Sequence, residues 1–271
     1  MLEYFILLNI ITMEYLLSTN NFELKLFLAI IWGFVPALIW LFFWLKQDEK
    51  HPEPNRLIIA TFIFGISAVF AAYLLQSLIF KDILGLDVSD IGNIIQNKFF
   101  LGFLLIFILA GTEEILKYFA AYFGGLRHKE NNEAIDPTVY LITAALGFAA
   151  FETFFYLITS MKGGIDIPSV MQTGNLRFVG AALTHSTSSA LVGFFIGLSY
   201  YKNKFIKKLF LIIGLITAST LHSFFNFFIM KQGDYGFYGF MIIWIAVITL
   251  LAFLEIIKKI KNHEKKKKII F

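Results

Sequence analysis

The sequence predicts an all-α, polytopic transmembrane helical bundle of seven to eight spans. Three observations predict it. Of 271 residues, 58% are apolar and only 15% charged, against about 25% charged in ordinary soluble domains. The apolar residues gather in runs long enough to cross roughly 30 Å of hydrocarbon as helices rising 1.5 Å per residue. Lys and Arg are also distributed unevenly over alternate loops, as membrane topology requires.

Taken in chain order, the first stretch, Leu2 to Leu17, is short and carries Glu3 and Glu14. It reads as an eighth span, an interfacial helix or an uncleaved signal-like start. No basic region precedes it and no small-residue cleavage site follows, so a cleaved leader is not expected. Seven longer spans are expected near Leu24 to Leu45, Leu57 to Phe80, Phe99 to Phe123, Pro137 to Ser160, Arg177 to Tyr201, Phe205 to Met230 and Phe237 to Ile260. The chain thus divides into an N-terminal hydrophobic or interfacial segment (1–23), one membrane-embedded helical domain (24–260) and a basic tail (261–271).

If the loop around Lys46 to Arg56 is cytoplasmic, that side receives 16 Lys and Arg residues and the other side 6, with Lys117 left inside a span. The C-terminal tail is then cytoplasmic. Because it abuts a span directly, its KKIKNHEKKKK run reads as an anchor to anionic lipid rather than a nucleic-acid arm.

The chain has no cysteine, which excludes a thiol nucleophile, a cysteine-ligated metal and any disulfide. It has no GxxxxGK[ST] or GxGxxG run, so no nucleotide is expected as a partner. No internal repeat of the transporter type is visible.

Against this apolar background, ionisable residues inside spans carry information. A charge at the bilayer centre costs about 2.5–3.5 kcal/mol on insertion scales, so such groups usually face a protein or water-filled interior. The third span holds Glu113, Glu114 and Lys117. Glu113 and Lys117 are four apart and share a face, while Glu114 lies about 100° round the helix and three before the lysine, so the ammonium can reach either carboxylate. Two adjacent carboxylates in low dielectric do not both ionise cheaply, which leaves one available for proton transfer. A structural ion pair that merely permits insertion is the blander reading.

The fourth span carries Glu152 among Ala144, Ala145, Gly147, Ala149 and Ala150, small residues that admit a neighbouring helix closely. Glu152 has no base in its own span and needs a partner from another, for which His185 on the fifth span is the natural candidate. On the sixth, His222 and Asn226 are four apart on one face. An amide one turn from an imidazole suits an oxyanion beside a group that binds water, metal or a proton. Each alone is equally a helix-bridging group, but a structural bundle has no need of so many. Ser186, Ser188 and Ser189 adjoin His185 without facing it, so they are expected to bond their own helix or bridge helices rather than form a Ser/His dyad. Every Asp lies in a loop or at a span boundary, which argues against an aspartyl mechanism.

The order GTEEILK, GFAAFE, a small-residue span with a central His, then HSFFN resembles the PrsW family of intramembrane proteases. That family is related to the bacterial CPBP proteins and the CAAX prenyl endopeptidases. KHPEPNRLIIATFIFG also resembles the family's opening signature, so the likeness runs from about Trp32 to Asn226. It implies that Glu113 is the general base with Glu114 beside it. His185 and His222 would be the family's two histidines, Asn226 the amide at the tetrahedral intermediate, and Glu152 an acid typical of the PrsW branch. Lys117 stands where the prenyl branch more often has Arg one residue later. The implied substrate is a single-span membrane protein such as an anti-sigma factor, in a bacterial cytoplasmic membrane.

The residues favour a metal-free glutamate mechanism with no cofactor. Glu and His are also acceptable zinc ligands, in which case Glu113, His185 and His222 form the set, although HExxH is absent. Competing classes are a proton- or ion-coupled transporter centred on Glu152, and a non-catalytic scaffold or immunity-type protein.

Overall fold

The computed structural model describes residues 22–48, 52–162, 166–231 and 235–260. The stretch Leu2 to Leu17 and the basic tail 261–271 lie outside them. The described residues form α1 (Phe22–Leu45), α2 (Asn55–Ser77), α3 (Val88–Asn97), α4 (Phe99–Ala121), α5 (Asp136–Lys162), α6 (Ile167–Val179), α7 (Ala181–Leu198), α8 (Lys204–Met230) and α9 (Tyr235–Ile257). There is no strand among them. Seven helical stretches are long and apolar enough to cross a membrane, and they fall on the seven expected spans.

The spans are not equivalent. In the most apolar part of α5, 67% of residues are buried, and 72% in the α6–α7 stretch, against 28–39% in the other five. α5 is therefore the axis, and its small residues explain why. A Cβ added to Gly147 would lie 2.1 Å from the Phe62 carbonyl oxygen, and one added to Gly65 would lie 2.1 Å from that of Ala144. α2 and α5 thus touch backbone to backbone, the approach small residues permit where lipid supplies no hydrophobic drive. Gly33 on α1 and Gly193 on α7 meet α5 in the same way, at Ala150 and Thr138. On the outer faces, large side chains such as Phe42, Ile59, Ile63 and Ile248 are exposed, as a lipid-facing surface requires.

Two features depart from the expected elements. The fifth span starts earlier than Arg177 and is divided at Gly180, where a side chain would collide with Phe225 at 2.8 Å. The loop before the third span contains the short helix α3. It follows a turn at Gly85, whose φ of 64° suits glycine, and starts with a capping box between Asp87 and Asp90. Ile95 of α3 is buried against Ile106 and Phe227, which seats α3 on the bundle.

At the end of α5 nearest Asp136, the Tyr140 hydroxyl donates to the Glu53 carboxylate. Asp136 accepts the backbone N–H groups of Asn132 and Glu133, each at 2.7 Å. Burial pushes the Glu53 carboxyl up to about 8.

Candidate active site

Glu113, Glu152 and His185 each lie near the midpoint of a membrane-length helix. Here α4, α5, α7 and α8 converge, and the polar side chains meet in one cluster. Lys117 is its hub. Fully buried, its ammonium donates to Glu114 Oε1 at 2.8 Å and contacts His185 Nδ1 at 2.7 Å. It lies 3.6 Å from Glu113 Oε2 and 4.6 Å from the centre of the Phe148 ring. The sequence spacing thus placed the lysine correctly against both acids.

Donor counting assigns the imidazole tautomers. An ammonium only donates, so His185 Nδ1 accepts from Lys117 and the ring proton sits on Nε2, which donates to Glu152 Oε2 at 3.1 Å. The expected Glu152–His185 partnership is therefore present. In His222, Nδ1 lies 2.9 Å from Glu114 Oε1 and donates to it. In the neutral ring that leaves His222 Nε2 as an acceptor, 3.8 Å from Glu113 Oε2. The two rings meet edge to face, with centroids 4.8 Å apart.

Glu114 is held from every side: Lys117 and His222 bond Oε1, and the Ser189 hydroxyl donates to Oε2 at 2.7 Å. Ser189 thus bridges α7 to α4, whereas Ser186 bonds back to Leu183 of its own helix. Glu113 is different. Its Oε1 accepts from the Gln76 amide at 3.2 Å, while Oε2 is buried and has no hydrogen-bond partner. Leaving a buried carboxylate oxygen unbonded is expensive, and that oxygen faces His222 Nε2 at 3.8 Å and His185 Nδ1 at 3.9 Å.

Two members of the cluster lie beyond what the sequence predicts. Arg177, which reads as a loop charge, lies on α6 and pairs with Glu152 while donating to Thr153 Oγ1 at 3.0 Å. Its position two turns before His185 was a usable signal. Gln76, an isolated amide in an apolar run, was another. Ser189 takes one of the two roles expected for the serines beside His185, bridging helices. Asn226 is half-buried one turn beyond His222, and among the described residues it makes no hydrogen bond to the cluster.

Three acids, Glu113, Glu114 and Glu152, face two bases, Lys117 and Arg177, and His222 stands between two carboxylates, Glu114 Oε1 at 2.9 Å and Glu113 Oε2 at 3.8 Å. The least satisfied oxygen is Glu113 Oε2, and a buried carboxylate of that kind is compensated by a proton or a cation. Glu113, His185 and His222 each offer an atom within 4.8 Å of the others, and one acid with two imidazoles is a known catalytic zinc set. By ligand type, spacing and the orphaned Oε2 these residues match a divalent ion, but the one lone pair of the His185 ring faces the Lys117 ammonium at 2.7 Å, so ligation by His185 requires that contact to be given up.

A family model described as PrsW family intramembrane metalloprotease matches residues 53–253, a stretch that contains every member of this cluster. The chain belongs to the PrsW family. It is 24% identical over 210 residues to Protease PrsW of Bacillus subtilis (strain 168), covering 78% of this chain and 86% of the relative. It is 28% identical over 197 residues to Protease PrsW of Oceanobacillus iheyensis, covering 73% and 80%. No solved structure matches the chain. PrsW membership and seven membrane-length helices make it an integral membrane protein of a protease family, in agreement with the resemblance carried by its motifs.

Proposed function

We propose that this chain hydrolyses a peptide bond of a single-span membrane protein, an anti-sigma factor being the type of substrate, with a water activated by Glu113. The unpartnered Glu113 Oε2 beside the acceptor nitrogen of His222 carries this reading. A water there donates one proton to each acceptor, which turns its oxygen lone pair outward. Glu113 takes the proton as the oxygen attacks the carbonyl, and returns it to the leaving amine. Glu114 and Lys117 hold His222 and His185 in their tautomers, and Glu152 with Arg177 fixes His185 from its other edge. The His185 N–H is committed to Glu152, so Asn226 is the amide assigned to the oxyanion.

Glu113, His185 and His222 would hold a divalent metal such as zinc, which when bound supplies Lewis-acid polarisation of the carbonyl and a more acidic water. The metal-free route is favoured, because Lys117 already places a positive charge at the acceptor nitrogen of His185. A bacterial cytoplasmic membrane, with the basic tail on anionic lipid at the cytoplasmic face, completes the proposal.

The test is Glu113→Gln, purified and reconstituted with a single-span reporter. Cleavage should fall to background while the protein still inserts and accumulates, and full retention of activity refutes the assignment. Inactivation by a chelator, reversed by zinc, would overturn the metal-free route. Transport of protons by the purified chain without cleavage of any reporter would replace the whole reading.

A further inference from the structure

Beside Glu113 lies a cavity of about 160 Å³ between α2 and α5. Val69, Phe70, Phe148 and Phe151 make its walls mostly apolar, and Gln76, Glu113 and Glu152 stand in them. Two aromatic pairs, each with one ring from α2 and one from α5, form its rim. Phe70 and Phe151 have centroids 4.9 Å apart, and Tyr73 and Phe155 6.3 Å apart.

Phe70, Tyr73 and Phe155 are 56%, 64% and 45% exposed, on stretches of α2 and α5 that qualify as membrane spans. The cavity therefore opens sideways towards hydrocarbon, past one tilted ring pair and one edge-on pair. A dry apolar void of about 150 Å³ takes an occupant the size of benzene, which is the size of one Leu, Met or Phe side chain. It has no room for a second peptide strand. An acidic side chain would meet the two carboxylates in its walls.

We propose that this cleft is a specificity subsite, seating one bulky apolar side chain of the membrane-embedded substrate next to the bond that is cut. The proposal rests on the protease reading above and adds the substrate class at one position. Glu113 is part of the cavity wall, so an occupant side chain sits beside the acid assigned to activate the water. A side chain too small for the void leaves the carbonyl free to shift, and misplacement of that kind lowers turnover.

The experiment uses a reporter series in proteoliposomes, identical except for Leu, Phe, Trp, Ala or Asp in turn at each residue flanking the cut. At one of these positions Leu and Phe should exceed Ala in kcat/KM by roughly tenfold or more, the discrimination an apolar pocket gives, and Asp should be cut least. Ala72→Leu narrows the cleft, since Ala72 lines it, and should lower the Phe-to-Ala ratio about tenfold. Phe151→Ala widens it and should admit Trp. Either shift supports the subsite whatever the variant's total activity, because a ratio is unaffected by the fraction folded.

Equal cutting of all reporters, or ratios that neither variant moves, would overturn the proposal and leave the cleft as a lipid-filled crevice. If the parent protein cuts no reporter, the protease reading falls, and the subsite with it.

Discussion

Replacing Lys117 by Met isolates the energetics of the cluster. The ammonium is fully buried, 2.8 Å from Glu114 Oε1, 3.6 Å from Glu113 Oε2 and 2.7 Å from His185 Nδ1. Met fills similar space and supplies no charge, so two neighbouring carboxylates are left buried without their cation. Removing one partner of a buried pair costs about 3–5 kcal/mol, and the lost contact with the Phe148 face is part of that sum. Adding Glu114→Gln should recover more than half of the loss, because an amide keeps bonds to Ser189 and His222 and needs no counter-charge. A coupling of about 2–3 kcal/mol is then expected, at the upper end for residues in direct contact. Unfolding of the parent, both single variants and the double variant in mixed detergent micelles, followed by tryptophan fluorescence, measures it. A Lys117→Met protein within 1 kcal/mol of the parent, where ~3 is the least expected, or strictly additive effects, would refute the reasoning.

Gln76→Met keeps the length of the side chain but removes the donor to Glu113 Oε1. It should lower kcat about tenfold, as expected for a hydrogen bond to a charged group that orients the base; equal kcat would show that the amide positions nothing. Gly147→Leu forces a side chain into the Phe62 carbonyl, 2.1 Å from the added Cβ. It should destabilise the bundle by at least the ~1–3 kcal/mol of overpacking, read as a lower thermal midpoint in detergent. Glu53 gives a pH dependence: burial raises its carboxyl from the ordinary 4.5 to about 8. Its contribution to stability is therefore full below about 4.5 and is lost as pH rises through about 8. The thermal midpoint should fall across that window, and Glu53→Gln should flatten the fall.

Much of the site was legible because a lipid environment makes polar residues conspicuous. Glu113, Glu114, Glu152, His185 and His222 stand out within apolar runs, and helical spacing alone pairs Lys117 with the two acids. The same contrast should have exposed Gln76, which lies in the apolar stretch Leu57 to Phe80. Arg177 is hidden for a different reason: the apolar run starts at it, so it reads as a loop charge, whereas the helix begins well before it. Helix α3 is not visible as a span because its ten residues cannot cross a bilayer, although its Asp-rich start carries a capping signal.

What the sequence determined by itself was the class of fold and the family. Hydrocarbon thickness dictates the length of each apolar run, backbone hydrogen bonding makes each run a helix, and motifs lying within single helices survive as local patterns. Only the tertiary structure decided which carboxylate is satisfied and which is not. Glu113 and Glu114 are adjacent in the chain and alike in chemistry. Ser189 and His222 arrive at Glu114 from α7 and α8, while α2 brings Gln76 to one oxygen of Glu113 and nothing to the other. That difference arises from packing between helices far apart in sequence, which spacing within any one span does not encode.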